Sequence, residues 1–226
     1  MVETPASGAP AGGPRVAGAR AERKRLTRRR IAEVAFGLFA RDGFDAVTVA
    51  DVARAAGVTE KTVFNHFATK EDLVYSEDEG FEKALLDHVR ARPAGESAVA
   101  AAERFFLARY RRVEIASGAR HRARTFAVMV TASPSLQARE RQIHTRYAEA
   151  LGASIASEQR AAPGDIRPRL AAEAVIAVHR EAIAGLRDAI LSGVPGDELA
   201  PRLLGTARQG FALLTAGLAD YAPGPP

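Results

Sequence analysis

Lys61, Thr62, Asn65 and His66 sit close together inside the stretch VTVADVARAAGVTEKTVFNHFATKEDL, residues 47–73. Their side chains carry groups suited to a nucleic-acid duplex. A lysine ammonium donates to guanine or phosphate, a threonine meets a thymine methyl or a phosphate, and an asparagine amide bridges an adenine edge or a phosphate. Such contacts read sequence only when a rigid element holds them at a fixed spacing. Val63 and Phe67 are four residues apart, which puts both on one side of a helix. Glu60, Lys61, Thr62, Asn65 and His66 are then left outward or at its rim.

The flanking residues explain how so short a helix is held. Thr48 with Asp51 three residues later fits a capping box, and Val47 with Val52 fits the hydrophobic staple around it. Gly57 suits the left-handed position that closes a helix, with Val58 folding back after it. Thr59 caps the next helix, Thr59 to Phe67, with Val58 and Val63 as a second staple. Thr69 with Asp72 caps a third. Two capped helices joined by a few residues around a glycine make a helix-turn-helix. The same three caps also suit a solvated corner of a helical bundle, so geometry alone leaves both readings open.

The run AAGVTEKTVFNHFATKEDLV resembles the DNA-binding domain of the tetracycline-repressor-like (TetR) family. A preceding helix in that family ends in Phe-x-x-x-Gly-Phe/Tyr, as Phe39 to Phe44 does here. A threonine-rich second helix, an Ala-Gly-Val-Ser/Thr turn, a Thr-hydrophobic-Tyr/Phe-x-His-Phe helix and an x-x-Lys-Glu-x-Leu segment follow, all matched up to Leu73. The resemblance implies phosphate contacts from Thr48, His66 and Lys70, and base or backbone contacts from Lys61, Thr62 and Asn65. Thr59 at the cap of the reading helix joins this DNA-facing set. Arg28 joins it as a backbone contact from the first helix, with a solvated charge as the alternative. Phe64 stands where the family often has tyrosine, and phenylalanine cannot donate to a phosphate. Glu60 brings an anion to the same edge, where it also favours the helix N-terminus.

Composition narrows the remaining classes. The 226 residues include no cysteine, which removes disulfides, thiolate catalysis and cysteine metal sites. No apolar run approaches the ~18 residues of a membrane span, and the N-terminus lacks the apolar segment of a signal peptide, so a cytoplasmic protein is expected. The net charge of +5 is uneven: residues 1–30 hold eight Arg/Lys against two Glu, whereas residues 31–72 hold four basic against seven acidic. A basic arm beside a helix-turn-helix suits phosphate contact; a solubilising tail is the plain alternative.

The chain as a whole is expected to be all-α, with about nine helices: an N-terminal three-helix helix-turn-helix domain followed by a C-terminal helical bundle. Residues 1–19, rich in Pro, Gly and Ala, are expected to be disordered, 20–69 to bind DNA, and 70–221 to dimerise and bind an effector. Ile31, Val34, Ala35, Leu38 and Phe39 give the first helix one apolar face. One helix is expected to run from Lys70 to about Arg92, about 33 Å long at ~1.5 Å per residue. Further helices are expected over about 97–117, 120–131, 134–160, 167–191 and 197–219, with Ser133-Pro134 opening the third of these.

Helices with small residues among large ones pack closely, as Ala171, Ala174, Ala177, Ala184, Leu203, Ala207, Gly210, Phe211 and Leu214 allow. The resemblance implies a homodimer through the last two helices; an intrachain core uses the same residues. Phe105, Phe106, Tyr110, Phe126, Met129, Tyr147 and His179 are the candidate lining of a pocket for an unknown small-molecule effector. GxSxG, P-loop, GxGxxG and HExxH signatures are all missing, so no catalytic residue, cofactor or metal is expected. His88, His121, His144 and His179 are expected on separate helices, with His88 a satisfied core residue. Arg109, Arg111, Arg112, Arg120, Arg122 and Arg124 form a basic cluster, suited to an anion such as an acyl-coenzyme A but equally to a salt-bridged surface. Two rival classes stand beside the regulator of an operator duplex: a helical enzyme or ligand carrier with an incidental helix-turn-helix corner, and a non-specific DNA-coating protein that relies on the basic arm.

Overall fold

The computed structural model describes residues 14–112 and 117–218. The chain divides into two units, Met1–Asp42 with Ala46–Ser76 and Gly43–Asp45 with Glu77–Pro226. Every regular element among the described residues is helical, as the sequence pattern requires.

The first unit contains α1 (Pro14–Asp42), α2 (Val49–Ala56), α3 (Glu60–Phe64) and a 3-10 turn over Glu71–Leu73. α1 starts at Pro14 rather than near Arg20, so part of the expected disordered arm is helical, while residues 1–13 of that arm lie outside the described residues. Gly43, at φ +87°, lets the chain turn after α1 at no steric cost. Ile31, Ala35 and Phe39 on α1 are buried together with Val47, Val52, Ala53, Ala56, Val63, Phe67 and Leu73. That set is the core of the unit, and α1 packs against both α2 and the 3-10 turn.

The second unit contains α4 (Asp78–Arg90), α5 (Ala98–Tyr110), α6 (Ser117–Ala132), α7 (Pro134–Glu158), α8 (Arg167–Leu191) and α9 (Gly196–Leu218). The expected 70–92 helix is not one rod. It is interrupted between Leu73 and Asp78, and α4 is 13 residues long. Val74 and Tyr75 are weak helix formers side by side. The Ser76 carbonyl that follows accepts from the Arg28 guanidinium at 3.1 Å. α7 and α8 run 25 residues each, and α8 lies against both α7 and α9.

Small residues set those approaches. A Cβ added at Gly152 on α7 would stand 3.3 Å from the Arg169 Cα, and one added at Gly210 on α9 would stand 2.8 Å from both Val178 methyls. Ala171, Leu203, Ala207 and Phe211 are buried within this unit, so they serve its own core. Arg92 ties the end of α4 to the end of α7. Its side chain is 1% exposed and pairs with Glu158 at 2.6 Å, and it also donates to the Val89 and Glu96 carbonyls. Arg120 and Arg124, part of the basic cluster, donate to the carbonyls of Ile190, Leu191, Gly193 and Val194, where α8 ends. Cations at that position also complement the helix dipole. Among the described residues no helix is long and apolar enough to cross a membrane.

Candidate nucleic-acid interface

Three caps hold the reading segment. Asp51 donates its amide to Thr48 Oγ1 at 3.2 Å and receives the Thr48 amide at 3.0 Å, which closes the box on α2. Gly57 is left-handed at φ +65°, and the Val58 amide reaches back to the Ala53 carbonyl at 3.0 Å. Thr59 Oγ1 accepts from the Thr62 amide at 3.1 Å, which starts α3. Thr69 and Asp72 exchange amide bonds of 3.0 and 3.3 Å at the 3-10 turn. Regular α-helix covers only Glu60 to Phe64, but the amides of His66 and Phe67 still bond the Val63 carbonyl, so the turn continues to Phe67.

With Val63 and Phe67 buried, Glu60, Lys61, Phe64 and Asn65 are exposed and Thr62 sits at the rim. Lys61 and Asn65 thus share an outward face, one helical turn apart. Phe64 beside them is 52% exposed, an apolar ring at an otherwise polar edge.

The other residues of the expected DNA-facing set are engaged within their own unit. Thr48 Oγ1 donates to Asp51 Oδ2 at 2.6 Å, so its proton is already committed to the cap. Thr59 and Thr62 share a hydroxyl contact of 2.9 Å. Lys70 Nζ donates to the Val47 carbonyl at 3.2 Å and so ties the third segment to the start of α2. His66 is half-buried; its Nδ1 is enclosed without a hydrogen-bond partner. Burial, with the charges of Lys24 and Arg28, holds its imidazole below the usual histidine range.

Arg28 departs furthest from expectation. Its guanidinium donates to the carbonyls of His66 and Ser76 and lies 4.2 Å over the Phe67 ring. It is therefore neither a solvated charge nor a free phosphate donor. A sequence signal existed: Arg28 precedes Ile31, Ala35 and Phe39 at three-, seven- and eleven-residue spacing, on the buried stripe of α1.

Residues 31–75 match the family model "Bacterial regulatory proteins, tetR family", a span that contains α2, α3 and the cap at Thr69. Those residues form a TetR-family DNA-binding domain. The chain is a transcriptional regulator with a helix-turn-helix DNA-binding domain. MftR, a transcriptional regulator assigned to mycofactocin biosynthesis in Mycobacterium tuberculosis, is 29% identical over 151 residues, 66% of this chain and 73% of that protein. The transcriptional regulator TcmR of Streptomyces glaucescens is 36% identical over 94 residues, but the match spans only 39% of this chain and 42% of that protein. The solved structure of NalD, the secondary repressor of the MexAB-OprM multidrug efflux pump in Pseudomonas aeruginosa, superposes with a TM-score of 0.50 at 22% identity, over 82% of this chain and 97% of that one. That likeness extends the fold assignment to the second unit and carries nothing about ligands.

In the second unit of the regulator, Phe105, Phe106, Tyr110, Tyr147 and His179 do come together. Phe81 and Phe211, absent from the expected set, complete the cluster. The His179 ring lies 4.8 Å from Phe106, 5.2 Å from Phe81 and 6.1 Å from Tyr110, and Phe81 lies 5.2 Å from Tyr147. His144, on α7, meets His179 of α8 edge to face at 5.5 Å. These rings pack on one another in the interior of the unit. Met129 is buried and Phe126 half-buried on α6, which packs against α7 and α8. An open recess of about 440 Å³ lies elsewhere, along α7 between Arg141, Thr145 and Glu149.

Tyr110 Oη and His179 Nδ1 share a hydrogen bond of 2.5 Å. Burial first, then the charges of His144 and Arg109, pushes the His179 imidazole down to about 3, so it is neutral at physiological pH. Burial pushes the Tyr110 phenol up. The pair satisfies itself inside an apolar shell. His88, expected to be a satisfied core residue, instead has its Nε2 enclosed with no partner, beside the Phe105 ring at 5.6 Å.

Proposed function

We propose that the chain is a ligand-responsive repressor that binds a palindromic operator as a homodimer. The outward face of α3, with Lys61 and Asn65 exposed and the helix fixed by caps at both ends of the motif, carries this reading. A helix this short spans few base pairs, so a twofold pair reading two half-sites about one DNA turn apart, or a multiple of it, supplies the missing specificity. An apolar surface on the last two helices supports the dimer: Leu213 on α9 is 78% exposed, and Ile166 and Leu170 at the start of α8 are exposed as well.

The effector site is the ring cluster around His179, opened by displacement of its own side chains. The effector acts by preferring a dimer geometry in which the two reading helices no longer fit adjacent grooves, with α4 carrying the change. A coupling of about 1–3 kcal/mol suffices for regulation.

Selection of bound sequences from random duplex DNA tests the central claim. Wild type enriches an inverted repeat. Lys61→Ala or Asn65→Ala changes which bases are enriched at particular half-site positions, at a cost of about 1–3 kcal/mol per lost bidentate contact. A uniform loss over all sequences reduces those two residues to backbone contacts. Leu213→Asp yields a monomer by sedimentation at concentrations where wild type is dimeric, and the monomer binds single half-sites only. A fully dimeric Leu213→Asp protein rules out that face of α9 as the interface.

A further inference from the structure

We propose that Arg28 is a positioning residue: one guanidinium fastens the end of the reading turn to the segment by which the chain leaves the DNA-binding unit. The proposal rests on the reading of α3 as the DNA-reading helix. Three contacts support it. Arg28 Nη1 donates to the His66 carbonyl, one residue past the C-cap of α3. Its Nη2 donates to the Ser76 carbonyl at 3.1 Å, at the last residue of the unit, two residues before α4 begins. Its plane covers the Phe67 ring at 4.2 Å, and Phe67 is itself a core side chain.

The chemistry of the side chain makes the joint specific. A guanidinium is planar, permanently charged and able to direct separate N–H groups at separate acceptors while stacking on a ring. An ammonium offers a single point and no face. Ser76 can shift away from α1 only by breaking its bond to Arg28 or by drawing Arg28, and with it the His66 carbonyl, along. Strain applied to the chain at Ser76 is therefore delivered to the last turn of the reading segment. That turn carries Asn65 on its outward side. The clamp thus sets where Asn65 and Lys61 stand without touching DNA itself.

The test uses the full-length protein, Arg28→Met and Arg28→Lys, with the duplex that wild type selects and a scrambled duplex of equal length. In Arg28→Met, amide hydrogen exchange accelerates together at 63–67 and 73–77, with α5 to α9 unchanged and helical content retained. Preference for the selected over the scrambled duplex falls about tenfold, the scale of a lost charge-assisted hydrogen bond. The slope of log affinity against log salt stays that of wild type, because no phosphate contact is lost. Arg28→Lys falls between the two on both readouts, and it decides the matter alone should Arg28→Met not fold. A slope that flattens by about one makes Arg28 a phosphate contact and overturns the proposal. Faster exchange at only one of the two segments, or at neither, overturns it too. A wild-type protein with no duplex preference sinks the reading-helix assignment instead, and the exchange result then judges the clamp by itself.

Discussion

Phe106→Ala lowers the unfolding free energy of the second unit by about 3–5 kcal/mol. Phe106 is fully buried, and its ring has aromatic neighbours on its own helix and on three others, α4, α8 and α9. His179 lies at 4.8 Å, Phe105 at 5.5 Å, Tyr110 at 5.9 Å, and Phe81 and Phe211 at 6.0 Å. Truncation forfeits both the transfer free energy of the ring and the contacts its neighbours made across it. Those neighbours are large and rigid, so they cannot collapse far into the space, and the cost falls in the upper part of the range for a lost phenylalanine. Urea unfolding followed by far-UV circular dichroism measures it. A loss below about 1 kcal/mol would mean that the rings rearrange freely rather than hold one packing.

The same substitution bears on ligand response. Removal of the ring leaves an apolar space beside the Tyr110–His179 pair, and a small planar aromatic compound then stabilises Phe106→Ala more than wild type by mass action. Wild type must first displace Phe106 to admit it.

Much of the first unit was legible because caps are local. Thr48-x-x-Asp51, Gly57, Thr59 and Thr69-x-x-Asp72 each concern residues within one turn, and the structure closes every one of them. Ser133 with Pro134 opens α7 for the same reason, and α8 covers the expected span 167–191. What the sequence hid depends on contacts between distant residues. Arg28 and Ser76 are 48 positions apart, and nothing local tells a clamped arginine from a solvated one except its register on the buried stripe. The break between Leu73 and Asp78 was missed because capping acids and continuing polar residues look like an uninterrupted helix. Weak propensity at Val74 and Tyr75 was the only hint.

The basic cluster divides in the same way. Arg120 and Arg124 complete the end of α8, some 66 to 74 positions away, which no pattern within α6 announces. The apolar faces name most of the ring cluster, but not how its members meet one another. Periodicity reports which side chains point inward and says nothing about whether space remains between them.

Acid weakens the regulator through His179 before it reaches most carboxylates. An ordinary histidine titrates near 6.5, and the buried His179 titrates at about 3. The folded state therefore holds this imidazole neutral over a range where the unfolded chain takes up a proton. The sign follows from linkage: the contribution is fully present above about 6.5 and is lost progressively as pH falls towards the folded value, at about 1.4 kcal/mol per unit. By pH 4 that amounts to about 3 kcal/mol from this one group. The groups facing it cannot relieve the penalty. His144 and Arg109 are both cationic when protonated, and the Tyr110 phenol is held neutral. His144 is itself pushed down, by burial first, and adds in the same direction.

The double variant Tyr110→Phe with His179→Phe isolates the effect. Replacing both partners by rings of similar shape removes the proton-binding site without stranding a buried donor or acceptor, so stability at pH 7.5 changes little. Between pH 6.5 and 5, before ordinary carboxylates titrate, its stability should fall with pH by about one proton less than wild type does. Denaturant titrations at fixed pH steps give both slopes. Equal slopes would mean that His179 reaches solvent in the folded state, and the closed ring cluster would have to be redrawn around an open one.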